Sequence, residues 1–321
     1  MNPLVSVVVP THGRPDFLRQ ALRSISDQTY DPVELIVIDD ASPEPVEPIL
    51  DDIDTDRFDR VECLRHEENR GANAARNTGI DVASGDIIAF LDDDDRWLPT
   101  VVERYVDAFV DGGQSVGVVT IGVRMVDEYG TQIGEALPSI EQDALGALLE
   151  GALVGSFSRF AVRADVIETV GPLDERLPCW QDWEIQFRLA FHCDFAAISE
   201  PLVVRTCGEH DQISDDFEQR RDVAYPMILE RHRTAIRVKR GPRAERRFVA
   251  LLSRSLAFSA LETDRYREAF RYLFRSLRYD PYAPRTYLYM GLASGGPVTF
   301  GTARRVKRLL SGVGSTRDWS W

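Results

Sequence analysis

The sequence predicts an α/β protein: an open, mostly parallel sheet with helices on both faces, followed by an all-α C-terminal region. Two observations carry that expectation. Apolar runs of strand length (residues 4–9, 34–38 and 87–91) alternate with segments of helical period (16–28, 72–83 and 101–110), a rhythm that means right-handed crossovers between parallel strands. From residue 215 onward the apolar spacing reads as helix.

Residues 4–9 form a continuous apolar strand of the kind buried in a parallel sheet. Pro10 and Pro15 bound a turn, and the helix over 16–28 aligns Phe17, Leu18, Ala21, Leu22 and Ile25 on one face. Residues 34–38 are a second strand, ending at Asp39-Asp40-Ala41-Ser42, and 61–65 a third. The helix over 72–83 carries Arg76 and Asn77 and is closed by Ser84-Gly85. The fourth strand ends abruptly in Asp92-Asp93-Asp94-Asp95, with Trp97 and Pro99 stopping it. Residues 101–110 are amphipathic. Residues 116–126 run into Asp127-Glu128-Tyr129-Gly130, a hairpin signal. Short strands are expected over 160–162, 195–198 and 202–204, the last two flanking Pro201, and a helix over 181–191. Further on, one helix holds Leu251, Leu252, Leu256, Phe258 and Leu261, and the next Tyr266, Ala269, Phe270, Leu273 and Leu277. The pair is similar to one tetratricopeptide-type hairpin, which cannot bury its own face alone.

The 321 residues allow one large domain or two. Their net charge of −14 is uneven: residues 1–215 hold 16 Lys+Arg against 42 Asp+Glu, and residues 216–321 hold 22 against 10. The expected boundary is therefore at 215, giving domains 1–215 and 216–321. Lys239 and Lys307 are the only lysines, and an acidic, lysine-poor surface suggests a halophilic, high-salt cytoplasm. Neither a signal peptide nor an apolar run of about 18 residues is present, so a cytoplasmic protein without a membrane span is expected. Cys63, Cys179, Cys193 and Cys207 lack a Cys-x-x-Cys spacing and read as ordinary thiols in a reducing compartment. Nucleic-acid binding is not expected, since no recognition motif is present and the acidic two-thirds repels phosphate.

The acidic run is the chemical signal. Four ionised carboxylates at one strand end repel each other unless a cation is present. Carboxylate oxygens suit hard ions such as Mg2+ or Mn2+, and ligands of open α/β sheets bind at the carboxyl ends of strands. A metal site gripping a phosphate-bearing ligand is expected; a solvated acidic loop is the other reading on composition alone.

Asp39-Asp40 follows the second strand, the acidic run the fourth, and Asp182 opens a later helix. With Val9-Pro10-Thr11, Asn69-x-Gly71 and Ala75-Arg76-Asn77, these make residues 4–215 resemble the family-2 inverting glycosyltransferases of the GT-A fold, whose sheet is Rossmann-like. The resemblance implies a nucleotide-diphosphate sugar donor, a sugar or lipid-linked acceptor, and Mg2+ or Mn2+. It places Asp39 on the nucleotide base, with Pro10, Thr11 and Arg14 walling that pocket and Arg76 facing it. Asp92 would hold the ribose, Asp94 the ion bridging the diphosphate, and Asp93 the position between them; Asp95 is expected outside the ligand set. His210 matches a histidine that adds a metal or diphosphate contact. Asp182 would be the catalytic base, with Trp180 and Trp183 offering apolar faces to a sugar ring. Gln181 stands where the family has Glu. No Gln-x-x-Arg-Trp follows Asp182, so transfer of a single sugar is expected rather than processive synthesis, in glycan or glycolipid assembly (protein glycosylation or cell-surface polysaccharide).

Two other readings fit the sequence less well. A nucleotide-sugar nucleotidyltransferase needs a Gly-rich, basic phosphate loop, and Thr11-His12-Gly13-Arg14-Pro15 is too short and Gly-poor. A catalytically inactive scaffold binding a partner or membrane sits poorly with intact Asp92, Asp94 and Asp182. The basic helical region and the tail Arg304-Arg305-Val306-Lys307-Arg308 suggest a peripheral membrane contact on the inner face of the cell membrane; pairing of those arginines with the acidic domain is the alternative.

Overall fold

A computed structural model describes residues 2–140, 143–152, 154–207 and 216–301. The chain divides into two compact units. The first comprises Met1–Ala147, Ala152–Arg176 and Gln181–Gly208, and the second Leu148–Gly151, Leu177–Trp180 and Glu209–Trp321.

Up to Thr206 the order is β1 (Val5–Thr11), α1 (Pro15–Ser26), β2 (Val33–Asp39), β3 (Arg60–Arg65), α2 (Ala72–Val82), β4 (Ile87–Phe90), β5 (Asp95–Trp97), α3 (Val101–Gly112), β6 (Val116–Val126), β7 (Gln132–Ala136), α4 (Ala144–Glu150), β8 (Phe160–Arg163), α5 (Ala164–Val170), α6 (Gln181–Leu189) and β9 (Asp194–Thr206). They form one mixed sheet in the order β3-β2-β1-β4-β8-β6-β9-β5, with β7 beside β6. The four strands from β3 to β4 are parallel, as their strand–helix rhythm requires. Beyond them β8 is antiparallel to both β4 and β6, while β9 runs parallel to β6.

Every residue of β1 and β2 is buried, because helices cover both faces of a parallel sheet. α1 buries Leu18, Ala21, Leu22 and Ile25. α2 packs on β1 at Gly79, where an added Cβ would lie 2.4 Å from Val8 Cγ1.

Two local expectations change. Residues 195–198 and 202–204 are not separate strands but parts of β9, whose register against β6 slips between Ile121 and Gly122, opposite Pro201. Proline has no N–H to give the ladder, so the irregularity absorbs it. The acidic run also does not stay a loop: Asp95–Trp97 turns back as β5, antiparallel to β9.

The second unit holds α7 (Phe217–Gln219), a π-helical turn (Arg220–Ala224), α8 (Tyr225–Glu262), α9 (Tyr266–Tyr279) and α10 (Pro284–Ser294). Gly241, at φ 85° and ψ 174°, breaks α8 in two. Only glycine adopts that conformation without strain, and Pro242 then starts the second half. α9 buries Ala269, Tyr272, Leu273 and Ser276. Ser276 Oγ donates to the Ala250 carbonyl at 2.9 Å and meets Thr286 Oγ1 at 3.1 Å, joining α8, α9 and α10.

Gly79→Val is expected to lower stability by about 1–3 kcal/mol through overpacking against Val8. Urea unfolding checks this; an unchanged midpoint would mean that α2 does not sit on β1 through this glycine.

Candidate active site

The parallel order reverses direction between β1 and β4, leaving a crevice at the strand ends, where ligands of open α/β sheets bind. Asp92, Asp93 and Asp94 form the turn between β4 and β5, closed by the Asp95 N–H donating to the Asp92 carbonyl at 3.1 Å. Thr11, the last residue of β1, donates from Oγ1 to Asp93 Oδ2 at 2.7 Å. Arg14 reaches the same turn, its Nη1 lying 3.4 Å from Asp93 and 3.0 Å from Asp94.

Two more arginines come from distant elements. Arg76 of α2 donates to Asp92 Oδ1 at 2.6 Å and to Gln181 Oε1 at 3.3 Å. It is 5% exposed and lies 3.8 Å from the centroid of the Phe157 ring. Phe157 in turn packs on Phe90 and Phe160, both at 5.3 Å. Arg205 of β9 forks onto fully buried Asp95 with bonds of 2.9 and 2.6 Å, and reaches Ser156 Oγ at 2.8 Å. One arginine therefore sits on each of Asp92, Asp94 and Asp95. Oxygen atoms of these three carboxylates all lie within 4.8 Å of one another.

At the neighbouring strand ends, Thr11 pairs in register with Asp39, and Asp39 with Arg65. Buried Asp39 accepts from the Ser42 N–H at 2.8 Å and is ion-paired with Arg65. Asp40 accepts from the N–H groups of Arg70 (2.9 Å) and Gly71 (2.7 Å) and meets His66 Nδ1 at 2.7 Å. It thereby fixes the loop that opens α2 and sets the position of Arg76.

The electrostatics favour added positive charge. Burial pushes the Asp93 carboxyl up to about 6. Asp94 is raised by burial and then by its neighbours Asp92 and Asp95. Asp182, in the first turn of α6, is raised by burial, against the opposing pull of the Trp183 N–H and Arg76; the Asp92 charge adds to the rise. Asp39 goes the other way, because Ser42 and Arg65 outweigh its burial.

The predicted residues are distributed as follows. Pro10 lies buried inside β1 opposite Ile38. Thr11 donates to Asp93, and Arg14 reaches both Asp93 and Asp94. Arg76, Asp92 and Gln181 form one network, and Asp182 feels the charges of Arg76 and Asp92. Trp183 packs edge-on against Phe187 at 6.1 Å. Trp180 belongs to the second unit and holds a left-handed φ of 56°. His210 lies outside the described residues. Sequence reasoning missed Arg205, Arg65 and Ser158, whose Oγ accepts the Asp92 N–H at 3.0 Å.

The family model described as glycosyl transferase family 2 matches residues 6–171. The chain belongs to glycosyl transferase family 2. It is 32% identical over 181 residues to the glycosyltransferase AglE of Haloferax volcanii, covering 54% of the chain and 57% of AglE. The chain thus spans just over half of that relative. Among solved structures, S. aureus TarS 1–349 in complex with UDP-GlcNAc superposes with a TM-score of 0.54 at 15% identity, covering 88% of this chain and 91% of TarS 1–349. The mannosyltransferase PcManGT of Pyrobaculum calidifontis, in complex with GDP-Man and Mn2+, gives 0.57 at 16% identity and covers 98% and 87%. At such identities the likeness establishes the GT-A fold of this family-2 chain.

Arg205→Met leaves Asp95 buried without its counter-charge and is expected to cost on the order of 3 kcal/mol. The double variant Arg205→Met/Asp95→Leu should recover part of that loss. Denaturant unfolding of both checks this; a single variant within about 0.5 kcal/mol of wild type would show that water screens the pair.

Proposed function

We propose that this site moves one sugar from a nucleotide-diphosphate sugar to an acceptor hydroxyl in a single inverting displacement, with Asp182 as base. The observation that carries this reading is the pairing of an acidic strand-end turn with a raised-pKa carboxyl at the start of α6, linked through Arg76 and Gln181. The complexes of TarS with UDP-GlcNAc and of PcManGT with GDP-Man and Mn2+ support a nucleotide-sugar donor.

The donor set fits a hard divalent ion, Mg2+ or Mn2+. Its oxygens are carboxylate, they cluster, and burial and mutual repulsion raise Asp94. Asp94 is the ligand best placed to hold the ion, its side chain 42% exposed. Asp92 stands beside it, and both Asp95 oxygens are engaged by Arg205. A bound ion supplies positive charge to the departing diphosphate. His210 is a further proposed contact.

The chain's own residues do the rest. Thr11 and Arg14 hold the acidic turn in place, and Arg14 and Arg76 bring cations to a crevice that receives phosphate. Asp39, with Pro10 and Arg14, is the proposed base-binding group. Asp182 takes the proton of the acceptor hydroxyl as that oxygen attacks the anomeric carbon opposite the diphosphate. The raised pKa makes it a stronger base than an ordinary carboxylate. Trp183 and Trp180 are proposed to stack on the sugars, and glycan or glycolipid assembly is the proposed setting.

Asp182→Asn is expected to cut transfer by about 100- to 10,000-fold while leaving donor affinity nearly unchanged. Because the base acts ionised and its pKa is raised, wild-type kcat/KM should fall on the acid side at a pH above the ordinary carboxylate value of about 4, and the Asn variant should lose that limb. Transfer assays across pH, beside calorimetric donor titration, read both. A variant keeping more than about a tenth of the wild-type rate would place the base elsewhere.

A further inference from the structure

The second unit carries a concentration of positive charge that the transfer chemistry does not use. Residues 231–247 hold eight Lys+Arg and one acid, Glu245. They straddle the break in α8 at Gly241. Glu245 is buried and engaged by Arg233 at 2.6 Å and Arg237 at 3.4 Å, so no carboxylate of this stretch faces outward. Arg237, Lys239, Arg240 and Arg243 are all exposed. Among them stands Val238, 81% exposed. Past the break, Arg246 donates to the Tyr279 carbonyl at 3.0 Å and the Arg278 carbonyl at 3.1 Å and so ties the end of α9 to the second half of α8. The turn that follows presents Tyr282, 88% exposed.

Cations that flank exposed apolar and aromatic tips suit a lipid–water interface. The tips enter the headgroup layer while the basic groups meet lipid phosphate. A soluble polyanion would engage the cations but gain little from an outward Val238. We propose that this kinked corner of α8, extended by Tyr282, docks on an anionic bilayer surface. The basic tail named above lies outside the described residues and is not needed for the inference. Nor does the inference rest on the transfer chemistry, so the two fail separately.

The test is co-sedimentation of the full chain with vesicles of phosphatidylcholine alone and of phosphatidylcholine mixed with phosphatidylglycerol. Binding to the mixed vesicles only, weakened by salt, is expected. Each basic residue near such a surface adds about fivefold to partitioning, so the triple variant Lys239→Ala/Arg240→Ala/Arg243→Ala should bind on the order of 100-fold more weakly. Val238→Asp should weaken binding further at high salt, where charge is screened. Both variants should stay folded, with a cooperative thermal transition. Equal binding to both vesicles, no binding to mixed vesicles at low salt, or a triple variant that binds like wild type would each overturn the proposal. Binding of soluble polyphosphate without any vesicle binding would overturn it too, and would assign the corner to a soluble polyanion.

Discussion

Negative charge crowded at the end of β4 has to be countered, and three arginines from three separate elements do it. Two like charges 4 Å apart at an effective dielectric near 20 repel by about 4 kcal/mol. Arg14 comes from the loop after β1, Arg76 from α2 and Arg205 from β9. Each pair therefore does two things at once: it offsets repulsion in the acidic turn and it fastens a different element to the crevice. The register of β5 on β9 depends on the same contact, since Asp95 and Arg205 are direct cross-strand partners.

Arg76 is the pivot of this arrangement. Its guanidinium lies over the Phe157 ring and donates to Asp92 and Gln181. A neutral Gln181 accepts a hydrogen bond there without adding charge, leaving Arg76 to stabilise Asp92 and to temper the rise of the Asp182 pKa. The loop before α2 is anchored by Asp40 through two backbone N–H groups, so helix, cation and acid are placed by one chain of contacts.

Most of the parallel half of the fold was legible because its signals are local. Val5–Thr11 and Val33–Asp39 are uninterrupted buried runs, and α1 shows its apolar face at helical spacing. The acidic turn was legible for the same reason: four carboxylates after an apolar strand are conspicuous without any partner in view. What stayed hidden is non-local. Arg205 lies 110 residues from Asp95, and a single arginine in a strand gives no sign of what it faces. β5 was missed because a strand opening on aspartate runs against β propensity until Arg205 neutralises it. β9 was split in two because Pro201 reads as a terminator, whereas its neighbour β6 accommodates it by a slip in register. The bonds from Thr11 to Asp93 and from Arg14 to Asp94 are non-local in the same way, spanning 82 and 80 residues.

In the proposed function the acidic turn receives a diphosphate through a divalent ion held at Asp94. Calorimetric titration of the full chain with UDP and GDP, with Mn2+ and again with a chelator, tests it most directly. At least one diphosphate is expected to bind with Mn2+, and to bind about tenfold or more weaker, over 1.4 kcal/mol, without the ion. Affinity that is equal with and without Mn2+, or that survives Asp94→Ala unchanged, would contradict it.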